Sequence, residues 1–164
     1  GESVTLRSLM KRDIYTIRND ATPFDALKLI TDRKVSGVPV TDREGRLAGF
    51  ISDGDILRYL AKSHPLFVSP YSLAAVGSGE QGFDAKLHGL MRMKVTELAH
   101  AHVITAEADD DLSEVCRTLS ERKLKKVPVM ENGRMIGIIN ASNITKFALN
   151  AAAEGFSGAF SKEG

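Results

Sequence analysis

The feature that most constrains the fold of this chain is an internal repeat. Val38-Pro39-Val40 recurs as Val127-Pro128-Val129 at an offset of 89 residues, and Gly49 recurs as Gly137 at an offset of 88. Because several short motifs recur in the same order, the chain contains two copies of one structural unit. The copies occupy residues 6–63 and 94–149, with a glycine-containing linker and short helix at 64–93 and a C-terminal tail at 150–164.

Each copy predicts the element order β-α-β-β-α. A short extended segment precedes Asp, Thr and Pro residues that favour a helix start, and an amphipathic helix follows. The Val-Pro-Val stretch then predicts a strand, whose proline favours a sheet edge or a strand start. A tight turn, with Asn132-Gly133 as the hairpin signal in the second copy, leads to another strand and to a last helix that begins near Asp53 or Ala141.

The stretches TIRNDATPFDAL and VSGVPVTDREGRLAGFISDGDI, with their second-copy counterparts, resemble the CBS domain, a family whose members occur in tandem pairs. The resemblance implies an α/β (α+β) fold in which the two repeats pack about a pseudo-twofold axis and form two related clefts, a Bateman module. Such clefts often bind AMP, ADP, ATP or S-adenosylmethionine. The module usually regulates an enzyme, channel or transporter and performs no chemistry itself.

Composition removes several other classes of protein. The 22 basic and 21 acidic side chains give a net charge of +1, which provides no electrostatic argument for binding nucleic acid or a membrane surface. A single cysteine, Cys116, excludes an intrachain disulfide and a Cys-based zinc site. The sequence also lacks a membrane span, a signal peptide and a catalytic constellation. We therefore expect a cytoplasmic protein that is not an enzyme and has no catalytic cofactor.

Two acids follow the second strand of the first copy, in GFISDGDIL. A calcium loop beginning at Asp53 fails, because its third ligand position is Leu57 and its twelfth residue is His64, so no metal site is predicted. Ser52 or Asp53 can cap the helix. The family's ribose motif runs glycine, apolar, any residue, Ser or Thr, two residues, then Asp or Asn, and residues 49–55 match it. The resemblance thus makes Asp55 the ribose acceptor, Ser52 its helper and Asp53 a solvent-facing cap.

The resemblance also implies a slot for the base and cations for the phosphates. The slot would be lined by residues of the first strand and those around Val-Pro-Val, namely Tyr15, Thr16, Ile17, Val35, Ser36 and Val38. Ile17 and Val38 equally suit ordinary core packing. The other copy would supply the phosphate cations, Lys125 and Lys126, although a basic run also suits a helix C-terminus.

The second cleft is less well equipped. Its candidate residues are Val103, Thr105, Asn140 and Asn143. Asn140 stands where Ser or Thr is expected, and Asn143 stands where Asp is commonest. Because an amide is a weaker acceptor for a diol than a carboxylate, this cleft is expected to bind a different ligand or none.

Four further signals carry less weight. GSGEQG, residues 77–82, matches a dinucleotide fingerprint but lacks the strand before it and the βαβ unit around it. Helical spacing follows at 83–93. His100 and His102 alternate without a third metal ligand and are interpreted as surface residues near the second cleft. Cys116 lies on an apolar helix face, which favours a core position.

Taken together, the sequence predicts a regulatory homodimer that senses energy state by binding AMP, ADP or ATP and acts on an unidentified effector protein or domain. S-adenosylmethionine is an alternative ligand. A purely structural dimerisation module with empty clefts is an alternative from another class.

Overall fold

The computed structural model describes residues 4–61 and 79–163, and it confirms a mixed α/β fold with two three-stranded sheets. The chain divides into two compact units. The first unit is Tyr15–Val103, and the second combines Gly1–Ile14 with Ile104–Gly164. Each unit has its own apolar core, which contains Val38, Val40 and Ile51 in the first unit. The corresponding core residues of the second unit are Val127, Val129 and Ile139.

The elements follow the predicted order in both repeats. In chain order they are α1 (Leu6–Leu9), β1 (Ile17–Arg18), α2 (Pro23–Arg33), β2 (Gly37–Thr41), β3 (Leu47–Ser52), α3 (Asp53–Ala61), α4 (Gly79–Leu90), a 3₁₀ turn (Val95–Glu97), β4 (Ala106–Glu107), α5 (Leu112–Glu121), β5 (Lys126–Glu131), β6 (Arg134–Asn140) and α6 (Ala141–Glu163).

Local sequence accounts for the starts and turns of these elements. Thr22 and Asp25 form a capping box that encloses Pro23, the first helical residue, and satisfies two backbone N–H groups at the start of α2. Asn132 and Gly133 both have positive φ, 53° and 77°, as a tight two-residue hairpin turn requires. The hairpin signal in the sequence is therefore confirmed.

The sequence predicted a sheet edge or a strand start for the proline-containing strands, and the edge position is wrong because both strands are central. The sheet orders are β1-β2-β3 and β4-β5-β6, with β1 parallel and β3 antiparallel to β2. Pro39 faces Phe50, whose backbone N–H and C=O both pair with His100. The parallel pairing with β1 begins only at Val40. Proline is tolerated at this position because the backbone groups of Phe50 are engaged by His100 and the pairing with β1 starts after Pro39.

Each unit also contains the segment that leads into the other repeat. We call residues 5–11 and 94–100 the lead segments. The first buries Leu6 in the core of the second unit, whereas the second buries Val95 in the core of the first unit. Lys11 pairs with Ile138 of β6, and His100 pairs with Phe50 of β3, each through two backbone hydrogen bonds.

Glycine is required where each lead segment passes the sheet. A Cβ added to Gly49 would lie 2.7 Å from the His100 carbonyl oxygen, and one added to Gly137 would lie 2.8 Å from that of Lys11. The paired glycines therefore have a structural reason that is the same in both repeats.

The first lead segment is also held by an ion pair. In the second unit, Arg7 pairs with Glu131, and this hydrogen bond raises the pKa of the Arg7 guanidinium.

Candidate functional site

The junction of β3 and α3 is built as a capping box. The Ser52 hydroxyl accepts from the Asp55 N–H at 3.3 Å, and an Asp55 carboxylate oxygen, Oδ2, accepts from the Ser52 N–H at 2.9 Å. Of the two predicted caps, Ser52 is therefore confirmed and Asp53 is wrong, because Ser52 stands just before the helix and its hydroxyl accepts from the third helical N–H. Asp53 is the first helical residue and is exposed, and its N–H donates to the Ser36 carbonyl at 2.8 Å.

Asp55 is a buried carboxylate with a dense set of partners. Its side chain is 1% exposed. Besides the Ser52 N–H, the Ser52 hydroxyl donates to Oδ2 at 3.0 Å. Arg58, three residues further along α3, donates to Oδ1 at 3.0 Å. His100 of the lead segment places Nε2 at 2.6 Å from the same oxygen. The charge of Asp55 is thus compensated by two cationic or ionisable side chains and two donors from Ser52.

Ser36 and the predicted base-slot residues lie in the same unit as Asp55. Gly37 pairs with Ser52 across β2 and β3, which places Ser36 beside the junction. Ile17 and Val38 are buried in the core, so the packing role allowed for them is confirmed. Tyr15 and Val35 are half-buried against that core, whereas Thr16 and Ser36 are exposed. Tyr15 also stacks with Arg33 at 4.7 Å.

The second unit repeats the backbone of this junction but not its polar chemistry. The Ala141 N–H donates to the Lys125 carbonyl at 2.7 Å, as Asp53 does to Ser36. The Asn143 side-chain oxygen accepts from the Asn140 N–H at 3.3 Å. Both asparagines are half-buried. An asparagine at the capping position and a neutral amide at the third helical position leave this junction without a buried charge.

The remaining predicted residues are divided between the units. Lys125, Lys126 and Thr105 belong to the second unit, and Val103 is the last residue of the first. Lys125 is exposed and lines a cavity of about 480 Å³ together with side chains of α5 and α6. Lys126 and Thr105 are half-buried and exposed, respectively.

His100 and Arg58 are functional candidates that the sequence reading missed. Arg58 could have been found, because residues three apart on a helix lie on one face. His100 could not have been found from the sequence, because it precedes the second repeat in the chain but its lead segment packs in the first unit. The interpretation that His100 lies near the second cleft is wrong, since it contacts Asp55 of the first repeat.

Two other interpretations are settled by position. Cys116 is exposed and lines the cavity between α5 and α6, so its predicted core position is wrong. The fingerprint-like stretch begins outside the described residues, and its part from Gly79 to Gly82 lies in α4. The helix expected over 83–93 is part of α4, which ends at Leu90.

The described part of the chain contains neither a candidate metal cluster nor a candidate membrane span. Residues 4–61 and 79–163 contain no group of three or more His, Cys, Asp or Glu side chains placed to hold a metal ion. No helix in that part of the chain has the length and apolar character needed to cross a bilayer.

Both repeats match the same known family. The CBS domain family matches residues 6–62 and 95–150, which together make up more than half of the chain. This protein therefore belongs to the CBS domain family, as a tandem pair. A curated relative is the chloroplastic CBS domain-containing protein CBSX1 of Arabidopsis thaliana, 26% identical over 152 residues. The match covers 88% of this chain but only 63% of that protein.

Solved structures show the same fold. The structure of CBSX2 in complex with AMP has a TM-score of 0.69 and 24% sequence identity, and the match covers 92% of this chain and 99% of that one. The CBS domain pair of protein MJ0100, in complex with 5′-methylthioadenosine and S-adenosyl-L-methionine, has a TM-score of 0.67 and 18% identity, with coverage of 92% and 99%.

Proposed function

We propose that this chain is a regulatory module that binds an adenosine-containing ligand at the β3–α3 junction of the first repeat. The observation that carries the proposal is the buried Asp55 carboxylate, which is held at the start of a helix beside Ser52 and Ser36. A carboxylate in this setting can accept hydrogen bonds from the two hydroxyls of a ribose cis-diol. The AMP, methylthioadenosine and S-adenosylmethionine complexes of structural relatives support this ligand class.

The proposed ribose subsite consists of Asp55 and Ser52, and the proposed base slot uses Tyr15, Thr16, Val35 and Ser36 next to the core residues Ile17 and Val38. The exposed surfaces of Thr16 and Ser36 support the slot, because a ligand must reach them from solvent. The second-repeat residues Val103, Thr105, Asn140 and Asn143 form the weaker candidate, since Asn143 provides an amide where the first repeat has a carboxylate.

Isothermal titration calorimetry with AMP tests the proposal most directly. We expect wild-type protein to bind AMP and Asp55→Asn to weaken binding by about tenfold or more, because the amide replaces a charged acceptor. Asn143→Ala is the matched control and should leave that affinity within about twofold. Equal losses in the two variants would contradict the choice of the first repeat. Absence of heat with AMP, ADP, ATP and S-adenosylmethionine at millimolar concentration would exclude the proposed function.

The presence of phosphates distinguishes AMP, ADP and ATP from S-adenosylmethionine as candidate ligands. We propose that Lys125 and Lys126 provide cations for AMP, ADP or ATP. Lys125→Ala with Lys126→Ala should then weaken ATP binding about tenfold and leave S-adenosylmethionine, which has no phosphate, within about twofold. Equal loss of both ligands would show that the lysines act on stability and not on phosphate.

A structural module with empty clefts is the second candidate, and one observation favours it. The contacts of Asp55 with Ser52, Arg58 and His100 already give this acid a role in holding the junction together. CBS pairs are generally regulatory and not catalytic, so neither candidate assigns a reaction or a catalytic cofactor to the chain. Homodimerisation, an effector partner, energy sensing and a cytoplasmic location stay predictions. Light scattering at known concentration tests the first of them.

A further inference from the structure

The Asp55 carboxylate already has four polar groups close to its two oxygens. A carboxylate offers about four hydrogen-bond acceptor sites on its two oxygens. The Ser52 N–H and hydroxyl occupy Oδ2 at 2.9 and 3.0 Å, whereas Arg58 Nη1 and His100 Nε2 occupy Oδ1 at 3.0 and 2.6 Å. A ribose diol can bind Asp55 only if at least one of these partners gives up its place.

The four partners differ in how easily they can leave. The two Ser52 groups belong to the capping box, so displacing them would uncap α3. Arg58 and His100 have side chains that are 61% and 60% exposed, and water can replace their contact with the acid. Displacement is therefore directed to the Oδ1 side of Asp55.

His100 is the better suited of these two to act as a competitor. Its backbone is fixed to Phe50 by two hydrogen bonds of 2.9 Å, so the ring can rotate away from Asp55 while the lead segment stays paired. Nε2 lies 2.6 Å from Oδ1 of Asp55, a distance at which an imidazole N–H can donate to a carboxylate oxygen. The imidazole therefore takes up the place beside Oδ1 that a ribose hydroxyl would need.

We propose that His100 is an affinity-setting residue that competes with the ribose hydroxyls for Asp55 and is displaced when the ligand binds. This inference rests on the proposed function. It assigns to the lead segment of the second repeat a direct effect on the ligand site of the first repeat. Ligands that cannot supply a hydroxyl in place of the imidazole would leave a buried carboxylate oxygen without its donor, which disfavours their binding.

The second repeat provides a matched control. Lys11 is the counterpart of His100, since it pairs with Ile138 as His100 pairs with Phe50. Asn143, the counterpart of Asp55, accepts from the Asn140 N–H. Lys11→Ala therefore removes a side chain from the equivalent backbone position without touching the Asp55 contacts.

Calorimetric titration of AMP into the full chain tests the inference. We expect His100→Ala to tighten binding by about three- to tenfold, because the ligand no longer has to displace a charge-assisted contact with Asp55, and Lys11→Ala to stay within about twofold of wild type. NMR signals of the His100 ring in wild-type protein should shift as AMP is added. His100→Gln, which retains a donor, should tighten binding less than His100→Ala.

The outcomes separate this inference from the function on which it rests. Unchanged or weaker binding by His100→Ala, with AMP bound by wild type, would overturn the competition and leave the proposed function intact. Ring signals that do not move on AMP binding would overturn it as well. Binding by His100→Ala alone would support it. If neither protein binds any adenosine ligand, the proposed function fails and the competition fails with it.

Discussion

The two strand-to-helix junctions of this protein share one backbone and differ in their chemistry. In both, the first N–H of the helix donates to the carbonyl of the residue two positions before Val-Pro-Val. Asp53 donates to Ser36 at 2.8 Å, and Ala141 donates to Lys125 at 2.7 Å. The first junction adds a buried carboxylate with four close partners, whereas the second has an asparagine pair joined by one hydrogen bond. The two repeats therefore share the backbone arrangement of this junction and differ in its polar side chains.

The helical faces of the two units differ as well. In the first unit, α4 packs against α3, and Leu90 of α4 is 0% exposed in the core. Leu27, the counterpart of Cys116, is half-buried and lines a cavity of about 290 Å³ together with side chains of α4. In the second unit, Cys116 is exposed and lines the cavity of about 480 Å³ between α5 and α6. Among the described residues, this position is therefore partly covered by α4 in the first unit, whereas its counterpart in the second unit is exposed.

The largest expected effect tests the role of α4. Leu90→Ala should destabilise the protein by about 3–4 kcal/mol, because it leaves a cavity in the core of the first unit. Leu149→Ala, at an exposed position of α6, should change stability by less than about 0.5 kcal/mol. Urea unfolding followed by circular dichroism measures both. A small effect of Leu90→Ala would mean that α4 contributes little to closing the first unit.

The buried acid gives the next largest difference. Asp55→Ala should cost about 3 kcal/mol, since it removes half of the capping box and leaves the Ser52 N–H without its acceptor. Asn143→Ala should cost about 0.5–1 kcal/mol, because it removes one hydrogen bond of a half-buried amide. The free energies of unfolding in urea decide. Similar losses in the two variants would show that the two junctions are energetically equivalent despite their different side chains.

The paired glycines should behave alike, in contrast to the acids. Gly49→Ala and Gly137→Ala should each cost about 2 kcal/mol, because the new methyl group meets a backbone carbonyl of a lead segment. Thermal unfolding of the two variants under one buffer condition gives the comparison. An unchanged melting temperature in either variant would mean that its lead segment can move off the sheet at little cost.

The smallest effect concerns two lysines at matching helix ends. Lys34 and Lys123 have positive φ, 54° and 55°, which glycine adopts without the steric cost of a Cβ. Lys34→Gly and Lys123→Gly should each stabilise the protein by about 0.5 kcal/mol. Differential scanning calorimetry can resolve the change, with the exposed Lys28→Gly within α2 as a destabilising control.

Much of the fold could be read from the sequence because its signals are local. Thr22 and Pro23 indicate a helix start, Asn132-Gly133 indicates a hairpin, and the repeat doubles the weight of each pattern. The edge position predicted for Pro39 was wrong because proline is excluded only where a strand needs its missing N–H. Whether the N–H is needed depends on the register of β1, β2 and β3 together, which the sequence of one strand does not show.

The site was less accessible to sequence reasoning than the fold. Motif spacing singled out Ser52 and Asp55, and the structure brings them together. It could not identify His100, which lies 45 residues from Asp55 in the chain and reaches it only through the exchanged lead segment. The core position predicted for Cys116 rested on the helical period of apolar residues. On α5 the buried residues are Val115 and Leu119, and Cys116 is exposed.

The exchange of lead segments bears on how such a chain could have arisen. In this protein the lead segment of each repeat lies beside the last strand of the other repeat, so a chain with a single repeat would lack the strand that its lead segment pairs with here. Two identical polypeptides could have satisfied each other by swapping those segments, as Lys11 pairs with Ile138 and His100 with Phe50. Gene duplication and fusion would then have joined two subunits that already depended on each other, and only afterwards could a histidine and a lysine diverge at the swapped position.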